Sequence, residues 1–550
     1  MKRKAFLFSC ISFLLFSHFV LLTGEGFDIS KGKRSDYLIY AINTSPEGKF
    51  NPLIENTQYD EYVNKLVYAS LLRLNSKLSL EPSLAEKHKL SKDGKTLTFI
   101  LRKGLTFHDG MPLTTKDVKF TFESLAHPDY QGEFQSYVQS IKGCEAFSKG
   151  EAKEISGIVC KDDRTLELNF SSPYAPALIN LGTLGILPEH IWKDVAKKEW
   201  TEKMEVLSKP IGAGPYKLES FANGSYVRLI AFDKYYAGRP KTATFIFKVV
   251  NEATVQAELL KGSVDIADVS SIKNKDASLL IAKGIKVIHY PNSKVQYMGF
   301  NLRNNALDLN VRTAIAYGID RDAIVKGLIE GNGVIIDTPM VPSLWSYPQK
   351  GLVHYAFDAT KASEYLKKAG YADTDGDGFV EKDGKKLTFT LTVPKGDRIR
   401  ELTGPIIQAN LKKIGIEIEL EQMDFNATMQ KVVGNHEFEL YLMGNTLDAD
   451  PDPTAYWYST QATDEKGKFG WNIAAFRSKK ADELMDKNRS ETNMNKRKAI
   501  LNEFGILLNK ELPWIPLYAA DIVRAYRSEV KGYAPNTFVD FYNVEKWEVK

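Results

Sequence analysis

Between residues 387 and 443 the apolar residues change rhythm repeatedly, and that succession limits the fold more than any other feature of the chain. Leu387, Phe389, Leu391 and Val393 alternate in twos, the mark of a strand. Ile407, Leu411 and Ile414 then fall at helical spacing, and Ile416, Ile418 and Leu420 alternate again. A short helical stretch follows near Met429 to Val433, and Phe438-Glu-Leu-Tyr-Leu-Met443 makes a third strand. Strands separated in this way by helices are joined through crossovers, which places them side by side in a parallel-rich α/β lobe. Ligand sites in such sheets lie beyond the carboxyl ends of the strands. The third strand runs out into Gly444-Asn-Thr-Leu-Asp-Ala-Asp-Pro-Asp-Pro453, a turn-rich acidic loop, and a ligand is to be sought there first.

One such lobe does not account for 550 residues, because a single core stops growing near roughly 250–300 residues. Two or more lobes are expected. Upstream, alternation marks strands at Leu97-Phe99-Leu101, Leu166-Leu168-Phe170 and Phe245-Phe247-Val249. After about residue 300 helical faces appear at Val311 and Ile315 and at Ile324 and Leu328, with Gly331 as a stop. Asp358 is placed to cap a helix carrying Ala362, Leu366 and Ala369 that ends at Gly370.

The first residues read as an export signal. Met1-Lys-Arg-Lys4 precedes an apolar run from Ala5 to Leu22, and Gly24 and Gly26 offer small-x-small spacing for cleavage, so residues 1–26 are assigned to a signal peptide. Left uncleaved, the run would serve as an N-terminal membrane anchor. A lipid-attachment reading at Cys10 is set aside, since cleavage there would leave Ile11 to Leu22 as a greasy stub. The formal net charge is +4, of which Lys2, Arg3 and Lys4 supply three, so nothing points to a nucleic-acid partner. Cys144 and Cys160 are then the remaining pair in an oxidising compartment; they are either a disulfide or two free thiols, and spacing alone does not decide.

Several phrases together resemble the extracellular solute-binding proteins of family 5, which serve peptide, oligopeptide and nickel importers. They are Leu90-Ser-Lys-Asp-Gly-Lys-Thr-Leu-Thr-Phe-Ile-Leu-Arg-Lys-Gly-Leu-Thr-Phe-His-Asp-Gly110, Pro112-Leu-Thr-Thr-Lys-Asp-Val-Lys-Phe120 and Gly212-Ala-Gly-Pro-Tyr-Lys217. Phe300-Asn301, Val311-Arg-Thr-Ala-Ile-Ala-Tyr-Gly-Ile-Asp320 and Pro513-Trp-Ile-Pro-Leu517 follow in family order. Thr106 departs from the first phrase, where Lys or a small residue is usual. The resemblance implies an α/β, two-lobed periplasmic-binding-protein-like fold of the cluster C type, with an extra peripheral domain inserted in the first lobe. Carried onto this chain, lobe I takes residues 35–78, 205–299 and 519–550, the insertion 79–204, and lobe II 300–518.

The resemblance also implies a ligand. In the family's peptide binders an extended peptide lies between the lobes, and its ammonium terminus meets an Asp on a loop after a lobe II strand. One carboxylate suits a free α-amino group, because an unpaired buried charge is costly. The matching residue is Asp448, three after Asn445, where the family usually has Trp; that departure keeps Asp450 as the alternative, and a solvated turn capped by Asp450 or Asp452 remains the plainer reading. For the ligand's carboxylate, Arg398 and Arg400 lie between the strand ending at Val393 and the next helix, unless they are solvated loop residues. Tyr40, Ala41 and Asn43 fall on a strand that lines the cleft in the family, and Trp471 and Asn472 follow Gly470, where they would cover a ligand or simply pack.

Asp373-Thr-Asp-Gly-Asp-Gly378 has the Asp spacing and the Gly of a calcium loop, with Asp373, Asp375 and Asp377 as ligands to a structural ion. Position twelve is Gly384 instead of the expected Glu, leaving Glu381 or Asp383 to substitute; a polar turn is the alternative. No other cofactor is expected. The chain has no His-Glu-x-x-His, Gly-x-Ser-x-Gly, phosphate-binding loop or Cys-x-x-Cys. It is therefore expected to be no enzyme but a monomeric, extracytoplasmic capture subunit that presents short peptides to the membrane permeases of an ABC importer. A nickel chelate, haem or an oligosaccharide is the alternative cargo, and a metal chelate would call for His or Arg in the cleft instead of an acidic loop. A peptide hydrolase or a chaperone stands further off.

Overall fold

The computed structural model describes residues 34–54, 57–468 and 470–550; the export signal and the anchor expected at residues 1–26 lie outside them. Most of the fold hangs on one sheet of eleven strands that passes through both lobes. Two long antiparallel strands, Ile285–Phe300 and Trp514–Arg527, form its middle. Their first paired stretch, from Ile285 with Arg527 to Pro291 with Asp521, belongs to lobe I. The second, from Val295 with Ala519 to Gly299 with Trp514, belongs to lobe II. Between Pro291 and Val295 the register shifts. Proline has no N–H to give the ladder, and the Asn292 carboxamide takes the Lys294 N–H instead, at 3.0 Å. The boundary expected at residue 299 therefore falls at this break, because the strand is shared by both lobes.

In lobe II, Thr388–Pro394 pairs in parallel with Glu417–Met423 on one side and with Leu440–Thr446 on the other, and the last pairs antiparallel with the crossing strand. Period-two alternation sends successive side chains to opposite faces. Met298, Leu391, Leu440 and Leu442 enter the core shared with helices Leu309–Gly318, Ala359–Lys368 and Arg398–Lys412. Val295, Tyr297, Tyr441 and Met443 enter a second core, under helices Lys479–Ser490 and Met494–Glu511. The third strand is longer than its apolar residues indicate. Gly444, Asn445 and Thr446 stay in the sheet because Gln296, Val295 and Lys294 lie opposite them.

In lobe I, Tyr37–Ile42 runs parallel to Thr244–Val249. Both of its faces are covered: Leu38, Tyr40 and Ile42 enter one core, Ile39 and Ala41 another. The insertion carries its own four-stranded antiparallel sheet, ordered Ala85–Leu90, Thr96–Leu101, Thr165–Asn169 and Ile158–Cys160, with helix Thr115–Ala126 packed nearby. Its core is continuous with that of lobe I, since Phe99, Phe122 and Trp192 belong to the same buried cluster as Leu38 and Tyr40. Two of the quoted phrases lock the insertion in place. The His108 ring meets the Gly212 N–H at 3.3 Å and the Gly214 carbonyl at 3.1 Å, and burial pushes its pKa down to about 4. Side chains at these glycines would collide with the backbone of the neighbouring helix end, 2.1 Å from the Val67 carbonyl oxygen at Gly212 and 2.4 Å from that of Leu66 at Gly214.

The disulfide is not formed. Cys144 is buried beside Ser148, and the Cys160 thiol lies 3.4 Å from the Thr115 carbonyl oxygen, so the two sulfurs serve separate contacts.

Candidate functional site

The acidic loop leaves the carboxyl end of Leu440–Thr446 at the hinge. The Leu447 N–H still bonds to the Ser293 carbonyl, at 3.1 Å, one residue short of the crossing strand's second stretch. Asp448 comes next and is exposed; among the described residues no hydrogen bond or ion pair reaches its carboxylate. It lines an open cleft together with Asn445, Met340, Leu344, Tyr456 and Trp457. Its side chain reaches solvent at the cleft mouth, yet the surrounding protein desolvates the carboxyl and raises it to about 6. The charges of Asp450, Glu133 and Glu61 raise it further, in that order. Glu133 belongs to the insertion and Glu61 to the lobe I helix Gln58–Val67, so the carboxylate of lobe II faces both other parts of the molecule. Tyr456 feels the same field: burial, then Asp448 and Glu133, push its phenol up to about 12.

Asp450 takes a different part from the one expected. Both its oxygens are held by Arg497, at 2.5 and 2.6 Å, and both side chains are 1% exposed. A carboxylate already paired in this way is not free to take a ligand's ammonium. Asp452 caps the following turn, accepting from the Thr454 N–H at 3.2 Å and its hydroxyl at 2.6 Å.

Arg398 and Arg400 belong to the first turn of helix Arg398–Lys412, whose N-cap is Asp397, and not to a loop. Arg398 is exposed and Arg400 buried, because a helix turns successive side chains apart. The Arg400 guanidinium lies 3.3 Å from the Gln296 carboxamide oxygen and 3.4 Å from Asp397, and Lys294 lies 3.9 Å from the same aspartate. Two cations thus share one carboxylate over the crossing strand. Burial first, and the Arg400 charge second, lower the Lys294 pKa. Gly444 makes the room: a Cβ there would stand 2.7 Å from the Lys294 side chain and 3.2 Å from Arg400. Lys294 and Gln296 escaped notice in the sequence because nothing in a lone strand tells which charges a helix will cover.

The remaining expectations divide. Tyr40 and Ala41 are core residues of lobe I, since their strand is buried on both faces; Tyr40 packs against Phe245, Phe247 and Tyr62. Asn43, just past the strand, is exposed and bridges Glu252 at 2.8 Å and Tyr59 at 2.5 Å. Trp471 is 51% exposed, with its ring 6.2 Å from that of Tyr456 at the cleft wall. Asn472 is spent on structure, donating to the Trp457, Tyr458 and Phe476 carbonyls and accepting from the Phe476 N–H.

Asp373, Asp375 and Asp377 converge, each offering an oxygen within 4.8 Å of the others, all exposed. The turn is closed by its own bonds: the Gly376 and Gly378 N–H groups donate to Asp373, and Asp377 pairs with Lys386. Glu381 accepts from the Thr374 N–H at 2.6 Å, and Asp383 sits in the tight turn of a small hairpin with φ +53°. The turn precedes Thr388–Pro394 and so lies at the amino ends of the parallel strands, away from the acidic loop. Among the described residues no helix is long and apolar enough to cross a membrane.

Comparison with known proteins places this geometry. The profile of the bacterial extracellular solute-binding proteins, family 5 (middle), matches residues 79–468. The oligopeptide-binding protein AppA of Bacillus subtilis is 31% identical over 505 residues, covering 90% of this chain and 89% of that protein. The solved structure of the Bacillus subtilis AppA in complex with a nonapeptide superposes with a TM-score of 0.75 at 28% identity, covering 94% of this chain and 99% of that one. NikZ from Campylobacter jejuni in complex with Ni(L-His) gives a TM-score of 0.75 at 26% identity, over 94% and 100%.

Proposed function

This chain belongs to the bacterial extracellular solute-binding proteins, family 5, and from that premise we propose that it captures short peptides with free termini between its lobes and delivers them to the permeases of an ABC importer. One observation carries the choice of a peptide: Asp448 stands at the carboxyl end of the lobe II sheet, desolvated by the cleft and without a partner among the described residues. An α-ammonium supplies what that carboxylate lacks. Lys294, half-exposed on the opposite face of the same sheet beside the buried and already paired Arg400, suits the peptide's carboxylate. An extended ligand crossing the end of the sheet would meet one pole with each terminus. Lobe closure follows from differential affinity, because a ligand held by lobe II gains further contacts and sheds water only when lobe I covers it. Export across the membrane, by the signal at residues 1–26, is part of the same reading.

Asp448→Asn is expected to weaken a free peptide by about 2–5 kcal/mol, roughly thirty- to several-thousand-fold. The N-acetylated form of the same peptide is expected to bind both proteins alike. Calorimetry on the pair measures this, with chromatography of the mixture for cleavage products. Equal affinity of the two forms for the wild type would remove the ammonium role, and product accumulating over many turnovers would remove the binding-only role. Tight binding of a nickel–histidine chelate in place of peptides would move the cargo to the alternative.

A further inference from the structure

Asp448 is placed by its neighbours in the chain, since among the described residues no hydrogen bond or ion pair holds its own side chain. On one side the Leu447 N–H is tied to Ser293. On the other, Ala449 separates it from Asp450, whose two oxygens sit in the fork of Arg497. Asp450 and Asp452 each precede a proline, Pro451 and Pro453, and a residue before proline is confined to extended backbone. Fixing the Asp450 side chain therefore fixes the backbone two residues from Asp448. Arg497 is in turn held by Asn488, which accepts from its Nε at 2.9 Å and reaches on to Asp452 at 3.3 Å, and by the Trp345 ring at 5.5 Å. Two helices, Lys479–Ser490 and Met494–Glu511, thus grip the loop through one arginine and one asparagine.

Stability alone gives little reason for such a pair. Replacing a buried ion pair with well-packed apolar side chains is often neutral or stabilising. What a planar fork provides, and an apolar contact does not, is a fixed orientation. We infer that Arg497 is a positioning residue for ligand recognition: by clamping Asp450 it holds the Asp448 carboxylate where a ligand's ammonium arrives. The inference rests on the reading that Asp448 meets that ammonium. Even clamped, Asp450 stays close enough to raise the Asp448 carboxyl, ahead of Glu133 and Glu61.

The test uses the full-length protein, trialanine and N-acetyl-trialanine. Four proteins are compared: wild type, Asp448→Asn, Arg497→Lys, and the double variant Asp450→Asn/Arg497→Gln, which leaves no unpaired charge in the core. The double variant is expected to melt close to the wild type, because amide meets amide. Its preference for the free over the acetylated peptide is expected to fall about ten- to a hundredfold, the scale of a small misplacement at a charged site. Arg497→Lys, a point charge without a fork, is expected to fall between. A double variant that keeps the full preference overturns the inference and leaves Arg497 a packing residue. Should the double variant fail to fold, Arg497→Lys decides in the same way. A wild type without preference, or one whose preference survives Asp448→Asn, would instead bring down the ammonium reading, and the positioning role with it.

Discussion

A carboxyl raised to about 6 by its surroundings makes the pH dependence of Asp448 a direct reading of the cleft. Its folded pKa lies above that of a free aspartate, so the ligand-free fold holds this proton through the range where an unfolded chain has already released it. The group's share of stability is therefore intact at low pH and lost as pH rises from about 4 through about 6. Binding runs the other way, because the ammonium needs the anion. Affinity for free peptides is expected to fall below about pH 6, and to fall again above about pH 8 as the α-amino group loses its proton. Calorimetry between those limits should trace a bell for trialanine and a flat line for its acetylated form; a bell for both would place the titrating group elsewhere. Of the residues concerned, Asp448 came from the family resemblance, and the sequence alone did not separate it from Asp450; the structure pairs Asp450 with Arg497. Arg497 was not legible. It lies in the polar run Asn495-Lys-Arg-Lys498, where only the packing of that helix onto the loop tells the buried cation from the solvated ones.

The strands of lobe II could be read because alternation survives without knowledge of the partners. What they pair with could not, and so the third strand was cut short at Met443, before the crossing strand had drawn Gly444 to Thr446 into the sheet. Tyr40 and Ala41 failed for a reason visible in their own segment. Tyr37-Leu-Ile-Tyr-Ala-Ile42 has no polar alternate, the pattern of a parallel strand covered on both faces, and such a strand leaves its middle residues no cleft to line. The acidic turn at Asp373, Asp375 and Asp377 is an element apart, at the end of the sheet away from Asp448. If calcium binds at this turn, adding it after chelator treatment raises the melting temperature and leaves the ranking of peptides unchanged. A thermal scan beside a competition assay checks both, and a change in ranking would mean that the turn communicates with the cleft.

At the scale of the molecule, the insertion and lobe II meet directly. The Ala175 N–H donates to the Arg489 carbonyl at 2.7 Å, the Arg489 guanidinium lies 5.3 Å from the centre of the Tyr174 ring, and its Nε stands 3.7 Å from Asp452 on the acidic loop. This contact joins the insertion to lobe II and touches the loop that holds Asp448. Arg489→Ala, which removes an interaction of about 0.5–1 kcal/mol, is expected to speed release of trialanine about two- to fivefold with little change in its entry. Stopped-flow measurement of both rates tests this, and an unchanged release rate would leave the insertion without a part in closure.

The shared strands set how that closure proceeds. A pair of strands held in register on both sides of two adjacent irregular points is a flexure: it bends but does not slide. Such a geometry lets the two lobes swing on an arc about residues 291–297 while keeping them from sliding past one another.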